Sequence, residues 1–195
     1  MSSFYSFVPT SATKLLCSWV NELNVKVKIS KPRKTKLGDF KVRDNALFIT
    51  VNNNLNKYSF LITLTHELAH AFVFKKHQYS ESPHGKIWQL TFKSLMVNFL
   101  SPDCFPEDIL KVLSRHIICP KASTFSDLDL VKVLKKYDNV NTYTVLDLAD
   151  GDVFKISNGK TFIKMGKRRT RYECIESKTN KVYLFHPFAE VIKIK

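Results

Sequence analysis

Phe60-Leu61-Ile62-Thr63-Leu64-Thr65-His66-Glu67-Leu68-Ala69-His70-Ala71-Phe72-Val73-Phe74 is the stretch on which the reading of this chain turns. It contains neither Gly nor Pro, and Leu61, Leu64, Leu68, Ala71 and Phe72 recur with helical spacing. Both features predict a helix with an apolar stripe. On that helix His66 and His70 lie four apart on one face, where both imidazoles can reach a single Zn²⁺. Glu67, beside the first histidine, is then placed to hold a metal-activated water and act as its general base. A bare HExxH also arises by chance among surface and core histidines, so the chemistry depends on a third ligand.

A catalytic zinc takes three protein ligands and keeps one position for water. A histidine six residues after the second, preceded by a turning glycine, is one common source. Here those positions are Lys76 and Val73. A glutamate from a following asparagine-glutamate motif is another, and the chain has no such motif. His77 shares the face if the helix continues, but it would lie about 10 Å along the axis from His70. It reads as a solvated histidine near the helix end. His84, in Ser80-Glu81-Ser82-Pro83-His84-Gly85-Lys86-Ile87-Trp88, is the better candidate. Ser82 can cap a second helix and Pro83 suits its first turn, which puts His84 at the helix start. Ile87, Trp88, Leu90, Phe92, Leu95, Met96 and Phe99 continue that helix as largely buried positions. The polar residues 77–83 form a loop that folds it back, so His84 can project toward His66 and His70.

His66-Glu67-Leu68-Ala69-His70, followed after a short polar loop by Pro83-His84-Gly85 and Trp88, resembles the SprT-like family of zinc metalloproteases, which includes a DNA-dependent protease. The resemblance covers roughly residues 10–115, and the segment from Leu37-Gly38-Asp39-Phe40 to Leu47-Phe48-Ile49-Thr50-Val51-Asn52 fits the family's strands. It implies an α+β, zincin-like metalloprotease domain of helices and a small antiparallel sheet. It also implies His66, His70 and His84 as ligands of one Zn²⁺ per chain, with Glu67 as the catalytic glutamate. By the same resemblance, proteins bound or crosslinked to DNA are the substrates. One departure is plain. Many bacterial members end in a zinc ribbon of two closely spaced cysteine pairs, whereas this chain has Cys17, Cys104, Cys119 and Cys174 and no C-x-x-C. The run Lys167–Ser177 resembles half a ribbon knuckle with Ser177 in place of the second cysteine, and reads as a metal-free relic. A second site drawn from His116, Cys119, Cys174 and His186 matches no ligand spacing.

At 195 residues the chain is long enough for one medium domain, or one domain plus a small appendage. The expectation is residues 1–120 for the metalloprotease domain, 121–141 for a helical linker and 142–195 for a small basic β module. Within the first, 11–23 reads as an amphipathic helix with Ser11 as its cap, followed by strands at Val25–Ser30, Lys36–Arg43 and Leu47–Asn52. Helices are expected at Pro106–Arg115 and Ser126–Tyr137. From Thr144 the period changes to two, giving strands at Val145-Leu146, Val153–Ile156, Thr161–Ile163, Arg171–Cys174 and Val182–Phe185. Asp150-Gly151 and Asn158-Gly159 are hairpin signals. Residues 1–25 lack a basic start followed by a long apolar run, and no apolar stretch approaches the ~20 residues of a membrane span. Four unpatterned cysteines suit a reducing compartment, so a cytoplasmic protein without membrane contact is expected.

The formal net charge is +14 and unevenly spread. Lys26 to Arg43 holds eight basic residues against Asp39, and Gly151 to Lys195 holds eleven against four acids. Such a field attracts phosphate backbones. Lys167, Arg168, Arg169 and Arg171 are the candidate nucleic-acid contacts, with Tyr172, Phe154 and Phe162 as aromatics able to stack on bases; taken one residue at a time, solvated cations and core aromatics read better. The expectation is a zinc endopeptidase cleaving DNA-bound or DNA-crosslinked proteins, its substrate aligned along the sheet edge at Leu47–Val51. Tyr79 and His77 are candidates for stabilising the oxyanion. Two other readings share the metal: a DNA-binding protein with a purely structural zinc, and a zinc hydrolase acting on a non-protein substrate. Glu67 separates the first of these, because a structural site needs no unligated acid.

Overall fold

A computed structural model describes residues 4–33, 35–78, 80–120, 127–138 and 142–194. The protein is α+β, with two compact units, Met1–Asn139 and Val140–Lys195. The first unit runs α1 (Thr13–Leu23), β1 (Val25–Ser30), β2 (Gly38–Arg43), β3 (Ala46–Asn52), α2 (Lys57–His77), α3 (Lys86–Val97), α4 (Glu107–His116) and α5 (Leu128–Lys135). Ser11 is not the cap of α1. It lies in a 3₁₀ turn before the helix, and its hydroxyl donates to the Asp103 carbonyl at 2.8 Å, tethering distant segments.

The sheet has the order β1-β3-β2, with β1 parallel and β2 antiparallel to β3. A two-residue turn joins β2 to β3 with both Asp44 and Asn45 in the left-handed region, at φ 48° and 58°. That is the backbone a tight right-twisted hairpin requires. Leu47, Ile49 and Val51 point inward and are buried, so Ala46, Phe48 and Thr50 share the opposite face. The expectation that Leu47–Val51 forms an open edge is overturned, because β3 is the central strand, bonded on both sides. Its apolar alternation marks a strand with one face on the core, a pattern that central and edge strands share.

Asn56 starts α2. Its side-chain oxygen accepts from the backbone N–H of Ser59 at 2.9 Å and of Tyr58 at 3.1 Å, while its amide donates to the Leu134 carbonyl at 2.9 Å. Phe60, Leu61, Ile62, Leu64, Leu68 and Ala69 are all buried, because α2 is packed against β2, β3, α1 and α3. A helix covered on several sides needs more than one apolar stripe. On α3, Trp88, Phe92, Leu95 and Met96 are buried, but Leu90 is 59% exposed, contrary to expectation. Two residues from Trp88 it falls on the other side of the helix. Leu130 and Leu134 of α5 are buried in the same core as α2. Asp127 caps that helix, and Ser126 lies outside the described residues.

The second unit contains β4 (Tyr143–Thr144), β5 (Val153–Lys155), β6 (Thr161–Arg168), β7 (Arg171–Glu176), β8 (Val182–Phe185) and β9 (Glu190–Lys193), ordered β4-β9-β5-β6-β7-β8. Every pairing is antiparallel. Val145, Leu148, Phe154, Phe162, Cys174 and Val191 form its own core. Val145-Leu146, expected as a strand, is a 3₁₀ turn held by reciprocal bonds between Thr144 and Asp147. Asn158-Gly159 joins β5 to β6, with Gly159 at φ 88°. Asp150-Gly151 also turns, but it leads into β5 and joins no paired strands, since β5 pairs with β6 and β9. Among the described residues no helix is long and apolar enough to cross a membrane.

Candidate active site

Helix α2 and the turn before α3 bring three histidines to one point. The Nε2 atoms of His66 and His70 are 3.3 Å apart, those of His66 and His84 3.1 Å, and those of His70 and His84 3.0 Å. The first pair follows from helical spacing. His84 arrives differently. Residues 82–85 make a turn closed by the Gly85 N–H donating to the Ser82 carbonyl at 3.0 Å, with Pro83 second and His84 third. His84 has φ 59°, in the left-handed region where such turns ordinarily select glycine or asparagine. Placement of His84 in the first turn of a helix is thus corrected: Gly85 precedes α3, which begins at Lys86. Holding a histidine in this conformation costs on the order of 1 kcal/mol.

Three imidazole nitrogens at these distances cannot satisfy one another. Each Nε2 carries either a hydrogen or a lone pair, so in a closed triangle at least one contact joins two of a kind. A tetrahedral ion with Zn–N near 2.0–2.1 Å sets its ligand nitrogens roughly 3.3 Å apart, so the donor set fits zinc. Trp88, 1% exposed, packs its ring against all three, with centroids 4.6 Å from His66, 5.3 Å from His70 and 4.7 Å from His84. Phe92 stacks behind it at 5.2 Å. Burial, reinforced by the neighbouring imidazoles, holds His66 at about 3 and His70 at about 4, and burial lowers His84. All three are therefore neutral near pH 7, the form that binds metal.

Glu67 is 7% exposed and lies against the backbone of β2. A Cβ added to Gly38 would stand 2.6 Å from its Oε1 and 2.8 Å from its Cγ. The carboxylate also accepts from the Phe40 N–H. Burial, with Asp39 nearby, raises Glu67 to about 8, and the Phe40 N–H opposes that rise. A dication in the histidine cluster would pull it down again. Gly38 is the residue that sequence reasoning missed. An isolated glycine inside a strand pattern often marks close approach of another group, and that was the available signal.

These residues line a cleft of about 590 Å³, with Leu37, Gly38 and Asp39 of the β2 segment on one wall and Ser82, Pro83 and His84 on another. Edge strand β2, not β3, borders the cleft. His77 ends α2 and lies 3.9 Å from Glu81, outside the histidine cluster. Tyr79 lies outside the described residues. In the second unit Lys167, Arg168, Arg169 and Arg171 are brought together at the tip of the β6–β7 hairpin, all exposed. Phe154 and Phe162 are buried at 0% and 1%, so of the two readings of these rings, core or base-stacking, they take the core one. Tyr172 is half-buried beneath Lys164, whose Nζ is 4.2 Å from its ring centre. Cys174 is a core residue whose thiol burial pushes up to about 11.

Residues 11–107, about half of the chain, match the model of the SprT-like family. The chain belongs to that family through its first unit. Membership makes a metallopeptidase-type hydrolase the expected class, and the family is generally zinc-dependent. Comparison with curated proteins and with solved structures gives no match.

Proposed function

We propose that the protein is a zinc-dependent endopeptidase acting on proteins bound or crosslinked to DNA. The observation that carries the catalytic part is the convergence of three neutral imidazole Nε2 atoms within 3.3 Å, beside a carboxylate that is held but not engaged by them. His66, His70 and His84 would hold the ion. When bound, zinc supplies Lewis acidity, making a water more acidic and a carbonyl more electrophilic. Glu67 takes the proton of the attacking water and returns it to the leaving amine. The Phe40 N–H and the bare backbone at Gly38 fix that carboxylate. The outer edge of β2, beyond the Phe40 N–H that Glu67 takes, aligns an extended peptide by strand addition, one backbone against another, which suits substrates of varied sequence. The excess of basic residues supports nucleic acid as the setting in which substrates are met.

Metal analysis together with cleavage of a protein substrate, with and without single-stranded DNA, tests this reading. Glu67→Gln should keep zinc and fold but abolish cleavage, because an amide cannot accept the proton. Undiminished proteolysis by that variant would remove Glu67 from the chemistry.

A further inference from the structure

The outer face of the three-stranded sheet is unlike the rest of the first unit. Its inner face is buried on the core, through Val25, Leu47, Ile49 and Val51. The outer face aligns residues in rows fixed by the register. Lys26 of β1, Phe48 of β3 and Lys41 of β2 form one row, and Lys28, Thr50 and Asp39 the next. Arg43 stands beside Ala46 at the end of β2. Phe48 is partly exposed and belongs to neither hydrophobic core. The Lys26 ammonium lies 5.5 Å from its ring centre. Lys26, Lys28, Lys41 and Arg43 are exposed. Asp39 is already held by Lys36 at 2.7 Å and Lys41 at 3.0 Å, and Asp44 stands at the turn.

An apolar ring in the middle of a strand whose neighbours are cations has little value for folding. It does not fill the core, and burying it against another protein would desolvate the lysines around it. A single-stranded nucleic acid matches both components. A base stacks on the ring whatever its identity, and the phosphates on either side meet ammonium and guanidinium groups. A duplex keeps its bases stacked on one another and offers only the phosphates. We propose that this face, centred on Phe48 and flanked by Lys26, Lys28, Lys41 and Arg43, is a binding platform for single-stranded nucleic acid. It deepens the reading of a peptidase that works beside DNA and rests on it. Binding is measured apart from cleavage, so either can fail alone.

The test uses the full chain and a short fluorescent DNA oligonucleotide, offered single-stranded or as its duplex. Phe48→Ala should weaken single-strand binding roughly tenfold, in line with the loss of one base–aromatic stack, and leave duplex binding nearly unchanged. Joint replacement of Lys26, Lys28 and Arg43 by Ala should reduce the slope of log affinity against log salt by about 2 for the single strand, at ~0.7 per phosphate contact. Phe48→Trp should bind at least as tightly, with fluorescence of the introduced indole quenched when the oligonucleotide is added. That variant keeps the test decisive if Phe48→Ala fails to fold. Single-strand binding indifferent to Phe48→Ala, an unquenched indole, or binding to anionic vesicles but not to the oligonucleotide would each overturn the proposal. Loss of cleavage in Glu67→Gln with binding intact would leave it standing.

Discussion

The histidine cluster of the first unit and the basic hairpin of the second are both small groups of nitrogen-bearing side chains, but they are held in opposite ways. His66 and His70 are anchored on a helix whose other faces are buried, His84 is set by a left-handed turn, and Trp88 packs against all three rings. Lys167, Arg168, Arg169 and Arg171 stand exposed on two strands and a turn, with one loose pair between Arg168 and Glu173 at 3.4 Å. The first arrangement works by fixing positions, so a single change can end its function. The second can work only through a summed field, to which each residue adds little.

The largest effect should follow from breaking the fixed site at its least regular member. His84→Asn keeps a residue tolerated in the left-handed region but removes a ligand. Zinc affinity, measured by competition with a chelator, should fall by more than about 100-fold, beyond what losing an outer-shell partner costs. Arg169→Asn is the matching change in the hairpin, since Arg169 also has positive φ, at 48°. It should leave zinc untouched. If His84→Asn retained metal as well as the parent chain, the cluster would not be a three-histidine site.

Gly38→Ala probes the same contrast without removing any functional group. The new methyl would meet the Glu67 carboxylate at 2.6 Å and the Thr63 methyl at 2.8 Å, so Glu67 must shift. Displacement of a reacting group by about 1 Å can cost on the order of 100-fold in rate. Cleavage should drop by roughly 10- to 100-fold, with zinc content unchanged. Full activity would show that the seat of Glu67 against β2 is not needed.

How much of this was legible in the sequence differs between the two regions for a physical reason. The HExxH spacing is local: a helix of known rise puts His66 and His70 on one face whatever the remainder of the chain does. Pro83-His84-Gly85 could be read as a ligand source, but its turn could not, because helix start and tight turn share the same residues. Gly38 escaped notice because its partner Glu67 is 29 positions along the chain, and only the β2–α2 packing joins them. In the second unit, Asn158-Gly159 and the alternating runs located most strands. For Phe154 and Phe162 the pattern leaves core and base-stacking readings both open, since aromatics near charges look alike whether they face the core or the solvent. The central place of β3 depended on pairing order, which local pattern does not encode.

Acid should act on the fixed site first. In an unfolded chain His66, His70 and His84 titrate near 6.5, but in the folded, metal-free protein His66 titrates at about 3, His70 at about 4, and His84 is lowered. Between those values and 6.5 the unfolded chain binds protons that the folded chain refuses, so stability falls as pH falls. Glu67 has the opposite sign. Raised from 4.5 to about 8, it gives stability that is full below 4.5 and lost as pH rises through 8. Three histidines outweigh one carboxyl below 6.5, and above it Glu67 acts alone. Urea midpoints of the chelator-treated protein should therefore decline on either side of about pH 6.5. Glu67→Gln should abolish the alkaline decline only. A midpoint flat from pH 7 to 5 would contradict burial of the cluster.

The smallest effect per residue belongs to the hairpin, and it sharpens the comparison most. Reversing Lys167, Arg168, Arg169 and Arg171 to Glu should weaken oligonucleotide binding without altering zinc content, because among the described residues the clustered histidines all lie in the other unit. Each lost phosphate contact should lower the slope of log affinity against log salt by about 0.7 for a single strand and about 0.9 for a duplex. No exposed aromatic stands among the four; Tyr172 beside them is half-buried, with the Lys164 ammonium 4.2 Å from its ring centre. Reversal leaves that ring in place and changes the charge of the hairpin. Its reversal should reduce single-strand and duplex affinity to similar extents, whereas Phe48→Ala in the first unit should separate them. Equal discrimination by both variants would mean that the hairpin also touches bases. Indifference to salt and to all four reversals would reduce its charge to a solvated surface.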